Sequence, residues 1–114
     1  MLKIGLFSKL SRVSIRMLRY YDEMGLLRPA YIDPDSDYCY YREDQLQTVG
    51  WITALRDMGF SLADVRRMSQ LGRDAEALAP FFAARRRELQ AETAKTAQQL
   101  LLLDTAEKRL GKED

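Results

Sequence analysis

The chain has 114 residues, 46% of them hydrophobic and 31% charged, which suits one small globular domain with an extension and excludes two full domains. Its 18 Lys and Arg nearly balance 17 Asp and Glu, so the net charge of +1 gives no bulk attraction to polyanions, and any nucleic-acid affinity must come from local clustering. With no His and one Cys, Cys39, the chain lacks the usual general base, the commonest transition-metal ligand and any internal disulfide, so neither a metal site nor a cofactor is expected.

A lone thiol suits a reducing compartment. Met1 leads into Leu2-Lys3-Ile4-Gly5 without an apolar signal segment, and no apolar run approaches membrane-spanning length. The expectation is a cytoplasmic protein with no membrane partner.

Residues 6–10 read as one or two helical turns and Ser11-Arg12-Val13 as a connector. Ser14 reads as the N-cap of a second helix over residues 15–24, which Gly25 ends in the left-handed conformation. On that helix Ile15, Leu18 and either Asp22 or Met24 fall on a different side from Arg16, Arg19 and Tyr20, giving an apolar face and a basic-aromatic one. Two short helices with a tight turn between them form a helix-turn-helix.

Next, Tyr31-Ile32 faces Tyr38-Cys39-Tyr40-Tyr41 across Asp33-Pro34-Asp35-Ser36-Asp37, a turn-rich stretch between two β-prone runs, and is predicted to be a β-hairpin. Glu43-Asp44 opens a third helix with Leu46, Val49, Trp51, Ile52 and Leu55 as apolar positions, stopped by Gly59. Ser61 to Asp64 resembles a capping box and starts a fourth helix through Val65, Met68 and Leu71.

The break in organisation falls near Gly72, beyond which a helix is expected from roughly Asp74 to Leu110. Phe82, Leu89, Thr96, Leu103 and Leu110 recur every seventh position, with Leu78 before them and Leu100 in a neighbouring row. Such a rod is about 55 Å long at 1.5 Å per residue, more than the compact N-terminal part can cover. Arg85, Glu92 and Gln99 are polar where a parallel zipper wants apolar residues, so an antiparallel pairing fits at least as well. A second copy is the economical cover for Leu89, Leu100 and Leu103, and a homodimer is expected.

Charge counted by segment is uneven. Residues 1–29 hold Lys3, Lys9, Arg12, Arg16, Arg19 and Arg28 against only Asp22 and Glu23, whereas residues 30–58 hold Arg42 and Arg56 against Asp33, Asp35, Asp37, Glu43, Asp44 and Asp57. Arg16, Arg19 and Tyr20 have the reach and donors to span phosphates and touch a base edge, and Ser14 lies at the helix N-terminus where backbone donors are free for a phosphate. The bland alternative is a solvated basic face, with Tyr20 and Tyr21 as half-buried core. Tyr38, Tyr40, Tyr41 and Arg42 add hydrogen-bonding groups beside that helix, as a wing would. There the alternative is that Tyr38 and Tyr40 share one face and pack on the core, leaving Tyr41 outside.

Taken together, Ile4-Gly5, the run from Ser14 through Arg19-Tyr20-Tyr21-Asp22-Glu23 and Gly25-Leu26-Leu27 to Pro29, Tyr38 to Tyr41, and Leu55 to Leu62 resemble the MerR family of bacterial transcription regulators over roughly residues 2–72. The resemblance implies a mainly α fold: a winged helix-turn-helix DNA-binding domain with a small β-hairpin wing (1–72), then a long coiled-coil dimerisation helix and tail (73–114). It implies a homodimer on near-palindromic double-stranded promoter DNA, distorting the spacer so that RNA polymerase, an indirect partner, engages both promoter elements.

Carried over by position, the recognition helix bears Ser14, Arg16, Arg19, Tyr20 and Tyr21. The first wing bears Tyr38, Tyr41 and Arg42, and the turn at Gly59 and Phe60 is the second wing. The dimer helix bears Phe82, Leu89, Thr96, Leu100, Leu103 and Leu110. Cys39 stands where many members carry an Arg, and Arg42 is the candidate replacement; Asp37 stands near a common Gly.

No Cys or His follows Gly72, as a metal or redox sensor of this family would require. The chain most resembles multidrug-responsive members, and it stops about where their drug-binding domain begins. Either that domain has been removed, in which case a small-molecule effector is a further partner, or the natural protein lacks one. Other readings are a coiled-coil interaction adaptor without DNA binding, a ligand among Phe81, Phe82 and Trp51, and an enzyme. The last is weakest, since Asp22 and Glu23 close the recognition helix and lie in no evident pocket.

Overall fold

The computed structural model describes residues 1–112; the last two positions of the expected tail, 113 and 114, lie outside it. The element order is β1 (Leu2–Lys3), α1 (Ile4–Ser11), α2 (Ile15–Glu23), β2 (Tyr31–Ile32), β3 (Cys39–Tyr41), α3 (Gln45–Asp57), α4 (Leu62–Gln70) and α5 (Ala75–Lys112). The chain divides into two compact units, Met1–Gly72 and the segment from Arg73 onward.

The helix-turn-helix is made by local chemistry. Arg12 takes a left-handed φ of 60° at the turn, and the Ser8 hydroxyl donates to the Val13 carbonyl at 2.6 Å. Ser14 then caps α2, its Oγ accepting the Met17 N–H at 3.0 Å, which satisfies one of the orphan donors at the helix start. Gly25, at φ 72°, ends α2: its N–H donates to Asp22 and the Leu26 N–H turns back to the Tyr21 carbonyl at 2.8 Å, a left-handed terminus that any Cβ would strain.

Downstream, Ser61 caps α4 through the Asp64 N–H at 3.1 Å, as its sequence predicts. The core of the first unit gathers Phe7, Leu18, Tyr41, Val49, Ile52, Leu55, Val65 and Met68, the buried positions of α1, α2, β3, α3 and α4.

The hairpin is part of a three-stranded antiparallel sheet in the order β1-β3-β2, with Leu2 opposite Tyr41, Lys3 opposite Tyr40, Tyr31 opposite Tyr40 and Ile32 opposite Cys39. The two-residue β1 has no periodic signature in the sequence. Asp33 starts the turn, accepting the Asp35 N–H on its side chain and the Asp37 N–H on its backbone carbonyl, and Asp37 closes it at φ 60°.

The second unit is one helix of 38 residues, about 57 Å long, running through Pro80. Asp74 starts it, its Oδ1 accepting the N–H groups of Glu76 and Ala77 at 3.0 and 3.3 Å.

Candidate nucleic-acid interface

The face of α2 away from the core carries Arg16, Met17, Arg19, Tyr20 and Glu23, all exposed. Only Leu18 and Tyr21 point inward, one helical turn apart. Ser14, Arg16, Met17, Arg19, Tyr20 and Glu23 line a shallow groove of about 520 Å³ on this face.

A second groove of similar size lies between the chain start and the wing, lined by Lys3, Ile4, Gly5, Leu6, Lys9, Arg19, Asp37, Tyr38 and Cys39. Arg19 lines both, so the two grooves meet at that residue. Among the described residues Lys3, Lys9, Arg16 and Arg19 form no ion pair, which leaves their charge available to an incoming anion.

The wing's tyrosines are sorted differently from either sequence expectation. Tyr38 and Tyr40 do share a face, but it is the outer one: Tyr38 is 55% exposed, and Tyr40 packs obliquely on Tyr31 at 5.9 Å between centroids. Tyr41, expected on DNA, is 1% exposed and stacks on Phe7. Pairing with Leu2 places Tyr41 on the inward side of β3, and an inward position next to α1 is core. Burial pushes its hydroxyl up to about 12, helped by Cys39 and Asp22 and opposed by Arg19.

Tyr21, also expected on DNA, is likewise corrected. It is 5% exposed because it sits three residues after Leu18 on the core stripe, and burial raises its hydroxyl against the pull of Arg56. Ser14 holds its place at the start of α2 as the helix cap described above. Arg42 is exposed but tied to Asp44 at 3.0 Å and lines neither groove.

One residue the sequence reading missed is Gln45, which is buried. Its Nε2 donates to the Arg28 carbonyl at 2.7 Å and its Oε1 accepts the Arg42 N–H at 2.8 Å, so it clamps the exit of the wing to the segment leaving α2. A polar residue at the first position of a helix gives no sequence signal for such a bridge.

On α5 the expected dimerisation residues Leu89, Thr96, Leu100, Leu103 and Leu110 are exposed, and Phe82 is half-buried. Leu101 and Leu102 are exposed as well, so four successive leucines face outward. No helix among the described residues is long and apolar enough to cross a membrane.

The MerR HTH family regulatory protein model matches residues 2–71, all but the two end residues of the unit that builds these two grooves. The chain belongs to the MerR family. It is 40% identical over 86 residues to the Multidrug-efflux transporter 1 regulator of Bacillus subtilis (strain 168), a stretch that covers 75% of this chain and 30% of that regulator.

Among solved MerR-family structures, the EcmrR–DNA complex in EcmrR-RPo superposes with a TM-score of 0.81 at 36% identity, covering 97% of this chain and 40% of EcmrR. A MerR-family transcriptional regulator from Bacillus cereus does so at 0.75 and 30% identity, covering 98% of this chain and 84% of that one. This MerR-family chain thus spans less than a third of the length of the B. subtilis regulator it matches. The fold is the mainly α winged helix-turn-helix followed by a long C-terminal helix.

Proposed function

We propose that the chain is a sequence-specific DNA-binding transcription regulator that acts in the cytoplasm as a homodimer on near-palindromic promoter DNA. The observation that carries this reading is the pair of grooves that share Arg19, one on the α2 face with Arg16 and Tyr20 and one beside the wing with Lys3, Lys9 and Tyr38. A helix that exposes Arg16, Arg19 and Tyr20 after a tight turn has the geometry of a recognition helix in a major groove, and the adjoining wing lies where the flanking backbone passes. The structure of EcmrR in complex with DNA supports the DNA-binding reading.

Dimerisation follows from α5. Exposed leucines on a helix of this length need a partner surface, and two such rods would set two recognition helices on one duplex. Distortion of the promoter spacer, with RNA polymerase as the indirect beneficiary, is part of the same proposal. The adaptor reading is less favoured, because it leaves the unpaired cations of the two grooves without a purpose.

The test is a mobility shift with the DNA upstream of the protein's own gene. A retarded band at low salt that weakens steeply as salt rises is expected. No retardation at any salt concentration rejects the reading.

A further inference from the structure

The lining of the groove between the chain start and the wing holds three cations and one carboxylate, Lys3, Lys9 and Arg19 against Asp37, together with Tyr38 and Cys39. The Lys3 ammonium lies 4.9 Å from the centroid of Tyr38, which holds a flexible lysine at the groove and orients the ring with it. The cation of the wing itself, Arg42, is elsewhere: it pairs with Asp44 at the surface and is absent from the groove lining. A wing that closes on a polyanion needs a positive charge at its contact point, and here that charge comes from β1 and α1.

We infer that this groove seats one backbone phosphate of the bound DNA, held by Lys3 and Lys9 and positioned beside Arg19, with Tyr38 in the lining. The inference rests on the DNA-binding reading above and names the residues by which the wing takes hold. The source of the anion is the DNA strand, because Arg19 belongs at once to this groove and to the recognition face, so an anion seated here is continuous with a duplex lying on α2. Cys39 also lines the groove and brings no cation to it, leaving the phosphate to Lys3, Lys9 and Arg19.

The experiment measures affinity against salt concentration for the full chain on the fragment it retards, with inorganic phosphate as a competitor. One phosphate seated per groove contributes about 0.9 to the slope of log affinity against log salt, so Lys3→Ala/Lys9→Ala in a dimer lowers it by about 1.8 and Lys3→Ala alone by part of that. Lys9→Ala is expected to do the same and Lys3→Arg to leave the slope unchanged, as is Arg42→Ala.

Because Lys3 also touches Tyr38, Cys39→Arg is introduced into Lys3→Ala. A cation restored to the same groove recovers the slope if charge there is what matters. Wild-type binding with slopes untouched by Lys3→Ala and Lys9→Ala, or a slope lowered by Arg42→Ala instead, overturns the groove assignment while leaving the regulator reading in place. Full competition by millimolar inorganic phosphate at constant ionic strength also overturns it, by showing a site for the free ion. Absence of DNA binding by the wild type refutes the regulator reading itself.

Discussion

The Phe7 ring lies almost flat on the Tyr41 ring, with centroids 4.3 Å apart and planes 14° from parallel. This stack joins α1, the first helix of the helix-turn-helix, to the inner strand of the wing, and both rings are excluded from water. Removing the Phe7 ring leaves a cavity as well as a lost contact, so Phe7→Ala is expected to cost about 3–5 kcal/mol in urea unfolding. Tyr41→Phe keeps the stack and is expected to cost less than about 1 kcal/mol. A similar small cost for Phe7→Ala would mean that the wing is docked by other contacts.

The buried Tyr41 hydroxyl makes a prediction at high pH. Its pKa is raised from 10.0 to about 12, chiefly by burial. Below pH 10 the hydroxyl is protonated in both states and its contribution is intact. As pH rises from about 10 through about 12 the unfolded chain releases its proton first, and stability falls by an amount on the order of 2 kcal/mol. Tyr41→Phe should therefore flatten the alkaline limb of a stability-versus-pH curve, and an unchanged limb would contradict the buried state of this hydroxyl.

On α2 the exposed and buried side chains should separate in binding assays. Arg16→Ala and Arg19→Ala are each expected to cost about 1–3 kcal/mol of DNA affinity by fluorescence anisotropy, with little change in thermal stability. Tyr21→Phe should leave affinity nearly unchanged, because the ring belongs to the core stripe with Leu18. A loss for Tyr21→Phe equal to that for Arg19→Ala would return Tyr21 to the DNA-binding set.

Helix order, the Ser14 and Ser61 caps and the Gly25 terminus were legible because each depends on residues within one turn of itself. The orientation of the wing was not. Whether Tyr40 or Tyr41 faces inward depends on the register with β1, a two-residue strand with no sequence pattern, and a shift of one position exchanges the faces. Tyr21 was misplaced for a related reason, since a tyrosine beside arginines is equally suited to a groove or a core. Gln45 gave no warning because its bridge joins Arg28 and Arg42, which are distant from each other in sequence.

The α5 pattern predicts how two copies meet. Phe82, Leu89, Thr96, Leu103 and Leu110 are symmetric about Thr96, so an antiparallel pair centred there sets Leu89 against Leu103 of the second copy and Arg85 against its Glu107. In a Cys39→Ser background, Thr96→Cys should form a disulfide-linked dimer on oxidation and Leu89→Cys should not. Crosslinking by both would indicate a parallel pair. Leu89→Asp should abolish the dimer in sedimentation and DNA binding with it.

The most direct test of the central claim is a hydroxyl-radical footprint of the wild type on the DNA upstream of its own gene, beside Arg16→Ala/Arg19→Ala at equal concentration. Two symmetry-related protected half-sites, separated by a whole number of helical turns of roughly 34–36 Å each, are expected for the wild type and should vanish in the double variant. A single unsymmetric patch, or a footprint that survives loss of both arginines, would contradict a dimer reading DNA through α2.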